Sequence, residues 1–271
     1  MPEAPPASGA RRIEEAFEAG GKDAALMPYL MGGFPSLQAS LEVGRIYATY
    51  ADLIEIGVPF SDPLADGPAI QAAGQRALEA GATLERVLDE VVAPLAAELP
   101  VVVMCYANPI VSRGFESVAE ALAERRVPGL IVPDMPAAEA DELREACDRH
   151  GVALVPLVAP TTGPAEIQAI AAAARGFVYV VSVTGVTGER QELPPMLARV
   201  VHEVRAAGSV PAAVGFGIGT PEQAARVGEI ADGVIIGSRL VREVAEAPSL
   251  ELGLEGVDRF LQATAAALRG G

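Results

Sequence analysis

Short apolar runs recur along the whole chain, each followed by a longer amphipathic stretch. Eight such runs stand out: Ala25–Met31, Asp52–Val58, Pro100–Tyr106, Gly129–Val132, Val152–Leu157, Phe177–Ser182, Pro211–Gly215 and Asp232–Ile236. They are continuous rather than alternating, which predicts parallel strands buried on both faces. The stretches between them carry a helical period. In Ala137–His150, for instance, Ala140, Leu143, Ala146 and Cys147 share one stripe. Cys147 then belongs to the core, and so does Cys105, which lies inside an apolar run. Eight strand–helix units in 271 residues fit an α/β fold of the (β/α)8 barrel (TIM barrel) type. A doubly wound open sheet would want fewer strands and a glycine fingerprint after the first one. Met31-Gly32-Gly33-Phe34-Pro35 does not supply that fingerprint. An extra helix is expected at Arg11–Ala19, before the first strand, and a helix pair at Ala69–Ala80 and Leu84–Leu99, after the second. Residues 1–10, rich in proline and alanine, read as a flexible tail, and 11–271 as one domain.

Composition narrows the chemistry. With 51% hydrophobic and 21% charged residues the chain can bury a large core. A formal net charge of −16 argues against a nucleic-acid or anionic-membrane surface. No apolar run approaches the ~20 residues that span a bilayer, and no basic-then-apolar leader is visible, so a cytoplasmic protein is expected. Nineteen of the twenty basic residues are arginine. Lys22, the only lysine, sits in a polar turn, poorly placed for Schiff-base chemistry. The two histidines, His150 and His202, fall in helical patterns on the outside of the expected barrel. A zinc site or a Ser-His-Asp triad therefore lacks raw material, and no metal site is expected. If the chain is an enzyme, carboxylates carry its proton transfers.

In a barrel of this kind, chemistry sits at the C-terminal ends of the strands. The seventh strand runs into Gly215-Phe216-Gly217-Ile218-Gly219, and the eighth into Gly237-Ser238. Glycine where a helix begins exposes backbone N–H groups to an anion, although it also simply makes tight turns. Both loops together, with the Ser238 hydroxyl, point to a phosphate. In the second strand, alternation sets Leu53, Glu55 and Gly57 on one face and Ile54, Ile56 and Val58 on the other. Glu55 is thus an acid within an apolar strand, either a structural carboxylate or a general acid/base whose pKa burial has raised. The following loop, Pro59 to Pro68, carries Asp62 and Asp66. Acids on such loops often serve turns, a reading heavier for Asp62 than for Asp66, which can arch over the barrel mouth. Tyr106 and Tyr179 offer aromatic bodies with polar tips, or mere core filling. The polar segment Val183 to Glu192 is long enough to form a lid.

Taken together, the motifs resemble a known family. The stretch from Glu55-Ile56-Gly57-Val58-Pro59-Phe60-Ser61-Asp62 through Pro63-Leu64-Ala65-Asp66-Gly67-Pro68 is similar to the signature of tryptophan synthase alpha subunits. Tyr106-Ala107-Asn108-Pro109, Ile131-Val132-Pro133-Asp134, Ala159-Pro160-Thr161-Thr162, Ser182 to Gly188 and Gly215-Phe216-Gly217-Ile218 follow in that family's order. The resemblance implies cleavage of indole-3-glycerol phosphate to indole and glyceraldehyde 3-phosphate. It implies Glu55 as catalytic acid/base and Asp66 as second catalytic carboxylate, near the indole N–H. Tyr179 and Phe216 match positions lining the indole pocket, with Tyr29, Met104, Tyr106, Ile131 and Val158 as weaker matches. Thr187 matches a lid residue that positions the aspartate, and Gly188, Gly217, Gly237 and Ser238 match phosphate contacts. Val183 stands where some members carry arginine, and Gly33-Phe34-Pro35 replaces a more usual acidic turn. A partner beta subunit holding pyridoxal phosphate is also implied, in an alpha2-beta2 complex, with no cofactor in this chain. Contact with it is expected at Pro59–Asp66 and at a loop over Asn108–Gly114.

The residues agree with that chemistry on their own terms. Breaking the bond between indole C3 and the glycerol chain needs a proton delivered to C3 and another removed from the hydroxyl. A carboxylate near N1 can stabilise the cationic ring. Two rivals stay open. One is a sugar-phosphate isomerase, which would want a basic residue at the strand ends, where none is expected. The other is a phosphate-binding regulator without turnover.

Overall fold

The computed structural model describes residues 9–19, 21–181, 195–208, 210–215 and 217–269. Its strands are β1 (Ala25–Met31), β2 (Ile54–Gly57), β3 (Val101–Met104), β4 (Gly129–Ile131), β5 (Ala153–Val155), β6 (Leu157–Val158), β7 (Val178–Val181), β8 (Ala212–Gly215) and β9 (Gly233–Ile236). All pair in parallel, in the order β5-β4-β3-β2-β1-β9-β8-β7-β6. β5 and β6 are the two halves of the expected fifth strand. Pro156 has no N–H for the ladder and splits them, while its carbonyl still accepts the Tyr179 N–H at 2.9 Å. The nine segments therefore trace the eight staves of a (β/α)8 barrel.

Side-chain alternation sorts the strands into two layers, as the apolar runs predict. Met27, Leu53, Val102, Ile131, Val155, Phe177, Ala213 and Ile235 fill the barrel interior. Leu26, Ile54, Ile56, Val103 and Leu130 face outward, against the ring of helices. Cys105 and Cys147 are both free and buried. Helix α1 (Gly9–Ala19) starts two residues earlier than expected and closes the N-terminal end of the barrel with Ile13 and Ala16. Lys22 sits at that same end, fully engaged: its Nζ lies 2.7 and 2.8 Å from the two Asp52 oxygens, and Asp52 also accepts the Leu26 N–H at 2.7 Å. That pairing takes Asp52 out of the second strand, which begins at Ile54.

The connecting helices include α2 (Leu37–Tyr50), α3 (Pro68–Glu79), α4 (Leu84–Val87), α5 (Ala93–Ala96), α6 (Ala107–Arg113), α7 (Phe115–Glu124), α8 (Asp141–Arg149) and α9 (Pro164–Ala173). Beyond residue 194 come α10 (Pro195–Ala207), α11 (Pro221–Gly228), α12 (Ser238–Glu246) and α13 (Leu250–Ala267). The expected helix over 84–99 is real but widened: Leu88–Val92 forms a π turn in which the Ala93 N–H reaches back to Leu88. Pro94 follows at once and cannot donate to Glu90, so the regular bonding register lapses there. The expected loop over 108–114 is instead α6, its first N–H, from Ala107, donated to Asp134 Oδ1 at 2.8 Å. Among the described residues no helix is long and apolar enough to cross a membrane.

Candidate active site

The C-terminal ends of the strands open into a cavity of about 680 Å³. Tyr29, Glu55, Asp66, Met104, Tyr179, Gly217, Gly237 and Ser238 line it, all singled out from sequence. Residues from seven strands and from the loops that follow them thus converge on one space.

Glu55 stands at its floor. In register it faces Tyr29 on one side and Val102 on the other. It is fully buried, and neither carboxyl oxygen has a hydrogen-bond partner among the described residues. Burial, reinforced by the charge of Asp66, pushes its pKa up to about 8. An unpartnered buried acid is costly, and the protonated form is the cheaper one to keep there. At neutral pH Glu55 is a carboxylic acid.

Asp66 hangs over the same space from the loop between β2 and α3. Tyr106 holds that loop: its hydroxyl accepts the Ala65 N–H at 3.1 Å and also bonds the Asp66 carboxylate. The ring of Tyr106 stacks on Phe60 at 5.1 Å. Gln71 donates to the Pro63 and Asp66 carbonyls at 3.1 and 2.9 Å, pinning the loop to α3. Asp66 lines the cavity, as an arch of its loop over the barrel mouth requires. It is half-buried, and desolvation raises its pKa to about 6 against the lowering effect of Tyr106. It remains mostly ionised at neutral pH. Asp62 is exposed and accepts a bond from its neighbour Ser61 at 2.5 Å, as befits a turn acid.

Two glycines make room for two tyrosines. A Cβ on Gly57 would lie 2.1 Å from the Tyr29 hydroxyl, and one on Gly215 would lie 2.7 Å from that of Tyr179. Each ring leans diagonally over a glycine of the adjacent strand, which is why those strand positions cannot carry a side chain. Burial, and after it the charges of Asp66 and Glu55, disfavours ionisation of both phenols, which stay neutral.

Several sequence expectations need correction. Val158 packs outward into the helix layer, and Leu157, one residue earlier, lines the cavity. The break at Pro156 makes that parity hard to read from the run of apolar residues. Ile131 belongs to the packed interior, and Tyr106 supports the Asp66 loop; neither lines the cavity. Thr187, Gly188 and Phe216, like the segment 183–192, lie outside the described residues. The expected absence of basic residues at the strand ends is also wrong, since Arg239 and Arg242 border the cavity. Both were overlooked because they belong to the helix that follows the last glycine turn; an i, i+4 relation to Ser238 was the available signal for Arg242. Ile70, Val181, Ile218 and Ile235 complete the apolar part of the wall.

A barrel with two dissimilar carboxylates at its mouth, an apolar chamber beside them and glycine turns at the far wall is an acid/base enzyme for a ligand with an apolar end and an anionic end. Comparison with known proteins sharpens this. The family model of the tryptophan synthase alpha chain matches residues 17–267. A tryptophan synthase alpha chain from Carboxydothermus hydrogenoformans is 48% identical over 219 residues, 80% of this chain and 82% of that relative. One from Methanosarcina mazei is 46% identical over 243 residues, 89% of each chain. Among solved structures, Mycobacterium tuberculosis tryptophan synthase superposes with a TM-score of 0.87 at 34% identity, covering 98% of this chain and 100% of that one. A structure of the tryptophan synthase a2b2 complex from Pyrococcus furiosus gives 0.84 at 33% identity, covering 90% and 99%. The chain belongs to the tryptophan synthase alpha chain family.

Proposed function

We infer that this chain is a carbon–carbon lyase that cleaves indole-3-glycerol phosphate to indole and glyceraldehyde 3-phosphate in tryptophan biosynthesis. The observation that carries the assignment of roles is the carboxylate pair, one acid held protonated near neutrality and one mostly ionised. Protonated Glu55 delivers its proton to indole C3. Asp66, as a carboxylate, accompanies the positive charge that this creates on the ring N–H. The C3–glycerol bond then breaks, its electrons returning to the ring, while the substrate hydroxyl gives its proton to the Glu55 carboxylate. Glu55 ends protonated, as it began, and two dissimilar environments divide the work.

Tyr29, Met104, Leu157 and Tyr179 form the apolar walls that suit the indole, with Phe216 assigned to the same pocket. Gly217, Gly237 and Ser238 are assigned to the phosphate, together with Gly188, and Thr187 to holding Asp66 in the closed site. The chain carries no cofactor of its own, pyridoxal phosphate belonging to the beta subunit with which it forms an alpha2-beta2 complex. The partner surface proposed here is the Asp66 loop and α6, where Leu64 and Val111 are 94% and 58% exposed. Large apolar side chains this exposed are what a partner covers. Residues 11–271 act as one barrel domain, working in the cytoplasm. The test is direct: purified chain mixed with indole-3-glycerol phosphate releases indole, and Glu55→Gln or Asp66→Asn stops it in a chain that still folds. Unchanged release by both variants overturns the assignment.

A further inference from the structure

Glu55 begins and ends the reaction as an acid, and between those points it is a buried carboxylate. Neither of its oxygens has a hydrogen-bond partner among the described residues, and the charge of Asp66 works against its ionisation. Left without a donor, the ionised form would add its desolvation cost to the barrier. The titratable and charged groups around it are few. Tyr29 faces it from β1, Asp66 from the loop after β2 and Tyr179 from β7, with Arg239, Arg242 and Glu246 of α12 bordering the cavity.

Tyr29 is the group placed to serve. It stands opposite Glu55 in the β1–β2 register, and its hydroxyl lies 2.1 Å from where a Cβ of Gly57 would be. Glu55 and Gly57 share one face of β2, about 6–7 Å apart. A glutamate side chain leaning along its strand covers that gap to hydrogen-bonding distance. The hydroxyl is otherwise almost idle: its only hydrogen bond among the described residues goes to the Met31 thioether at 3.9 Å, a weak acceptor. The backbone beneath it is held. β1 pairs with β9 only as far as Pro28, and beyond it the Tyr47 hydroxyl of α2 donates to the Tyr29 carbonyl at 3.1 Å. Burial, with Asp66 and Glu55, keeps the phenol protonated well above neutral pH, so it remains a donor throughout turnover. Tyr179 is the lesser candidate. β1, β9 and β8 separate its strand from β2, and its ring leans over Gly215 of β8.

We propose that the Tyr29 hydroxyl is a positioning donor for Glu55, leaving Met31 to bond the Glu55 carboxylate once the acid has given its proton to indole C3. This rests on the lyase reading above and concerns the hydroxyl alone, since the ring already serves as pocket wall. The phenol keeps its own proton. The proton on C3 comes from Glu55, the one that restores Glu55 comes from the substrate hydroxyl, and the bond to Met31 then returns. A charge-assisted bond made only after proton transfer stabilises the transition state and not the bound substrate, so it appears in kcat rather than KM.

The experiment compares Tyr29→Phe, Tyr179→Phe and Tyr50→Phe. Tyr50 donates to Asp258 at 2.9 Å outside the barrel, so its variant loses a phenol–carboxylate bond remote from the cavity. With indole-3-glycerol phosphate, Tyr29→Phe is expected to lower kcat about ten- to hundredfold, the scale of a hydrogen bond to a charged group. KM stays within about twofold, because the ring remains. Removing a donor to the ionised form favours the acid, so the alkaline limb of the kcat/KM profile moves up by about one pH unit. Tyr179→Phe leaves that limb in place, and Tyr50→Phe leaves both kcat and the limb in place. The Glu55 carboxyl, followed by ¹³C NMR in the glutamate-labelled full chain and assigned with Glu55→Gln, titrates higher in Tyr29→Phe by the same amount. If Tyr29→Phe keeps the parent kcat and limb, or raises KM alone, the proposal is overturned. A limb moved by Tyr179→Phe and not by Tyr29→Phe makes the other phenol the donor and overturns it too. If the parent chain releases no indole, the lyase reading fails separately, and the Glu55 titration still decides whether Tyr29 bonds the carboxylate.

Discussion

Replacing Glu55 with glutamine separates its electrostatic cost from its chemical role. A glutamate of ordinary pKa 4.5 is held at about 8 in the fold. Between those two values the folded chain keeps a proton that the unfolded chain has released. Stability contributed by this group is therefore intact below pH 4.5 and declines as pH rises toward 8. Worked from the two values, the loss between pH 5 and pH 7 is about 2–3 kcal/mol. Glutamine does not titrate. Its buried amide adds a cost of its own, but a cost independent of pH. The unfolding free energy of Glu55→Gln minus that of the parent should thus climb by about 2–3 kcal/mol from pH 5 to pH 7. Urea unfolding at pH 5, 6 and 7, with m-values matched, reads that difference. In the same preparations kcat should fall by about 10²–10⁴, the usual cost of losing a general acid/base. A stability difference that is flat in pH, with turnover near normal, would refute both the desolvated site and the proton shuttle.

Three further outcomes follow from the same geometry. The pH profile of kcat/KM should be bell-shaped, rising through about 6 as Asp66 ionises and falling through about 8 as Glu55 loses its proton; a profile level from pH 5 to pH 9 contradicts the division of roles. Tyr106→Phe removes the hydroxyl that bonds Asp66 and the Ala65 N–H, so the acid limb should move upward in pH and kcat drop by about tenfold. A purely structural role for Tyr106 would leave that limb in place. Leu64→Asp puts a charge on the most exposed large apolar side chain of the described residues, and should weaken activation by a beta subunit, measured as indole release with and without it, while the isolated chain turns over as before.

The barrel was legible in the sequence because strands buried on both faces leave continuous apolar runs, and the interior and exterior layers follow from alternation alone. Leu53 and Glu55 point inward and Ile54, Ile56 and Val58 outward for that reason. The cysteines, the outer histidines and the poor placement of Lys22 were legible too, since each depends on local pattern. What alternation cannot carry is a change of register. Pro156 breaks the fifth strand, so Leu157 and not Val158 faces the cavity. Nor does local pattern report how far a loop folds back. The sequence lets Asp66 arch over the barrel mouth, but it does not report how far the acid is desolvated there or that Tyr106, forty residues later in the chain, bonds it. Arg242 reads as an ordinary helical arginine until the closed ring brings β9 beside β1 and turns its helix end toward Glu55. Periodicity is a property of neighbours along the chain, and it determined the layers. The pKa values and the pairing of charges depend on distances between segments remote in sequence, and only the closed barrel sets those.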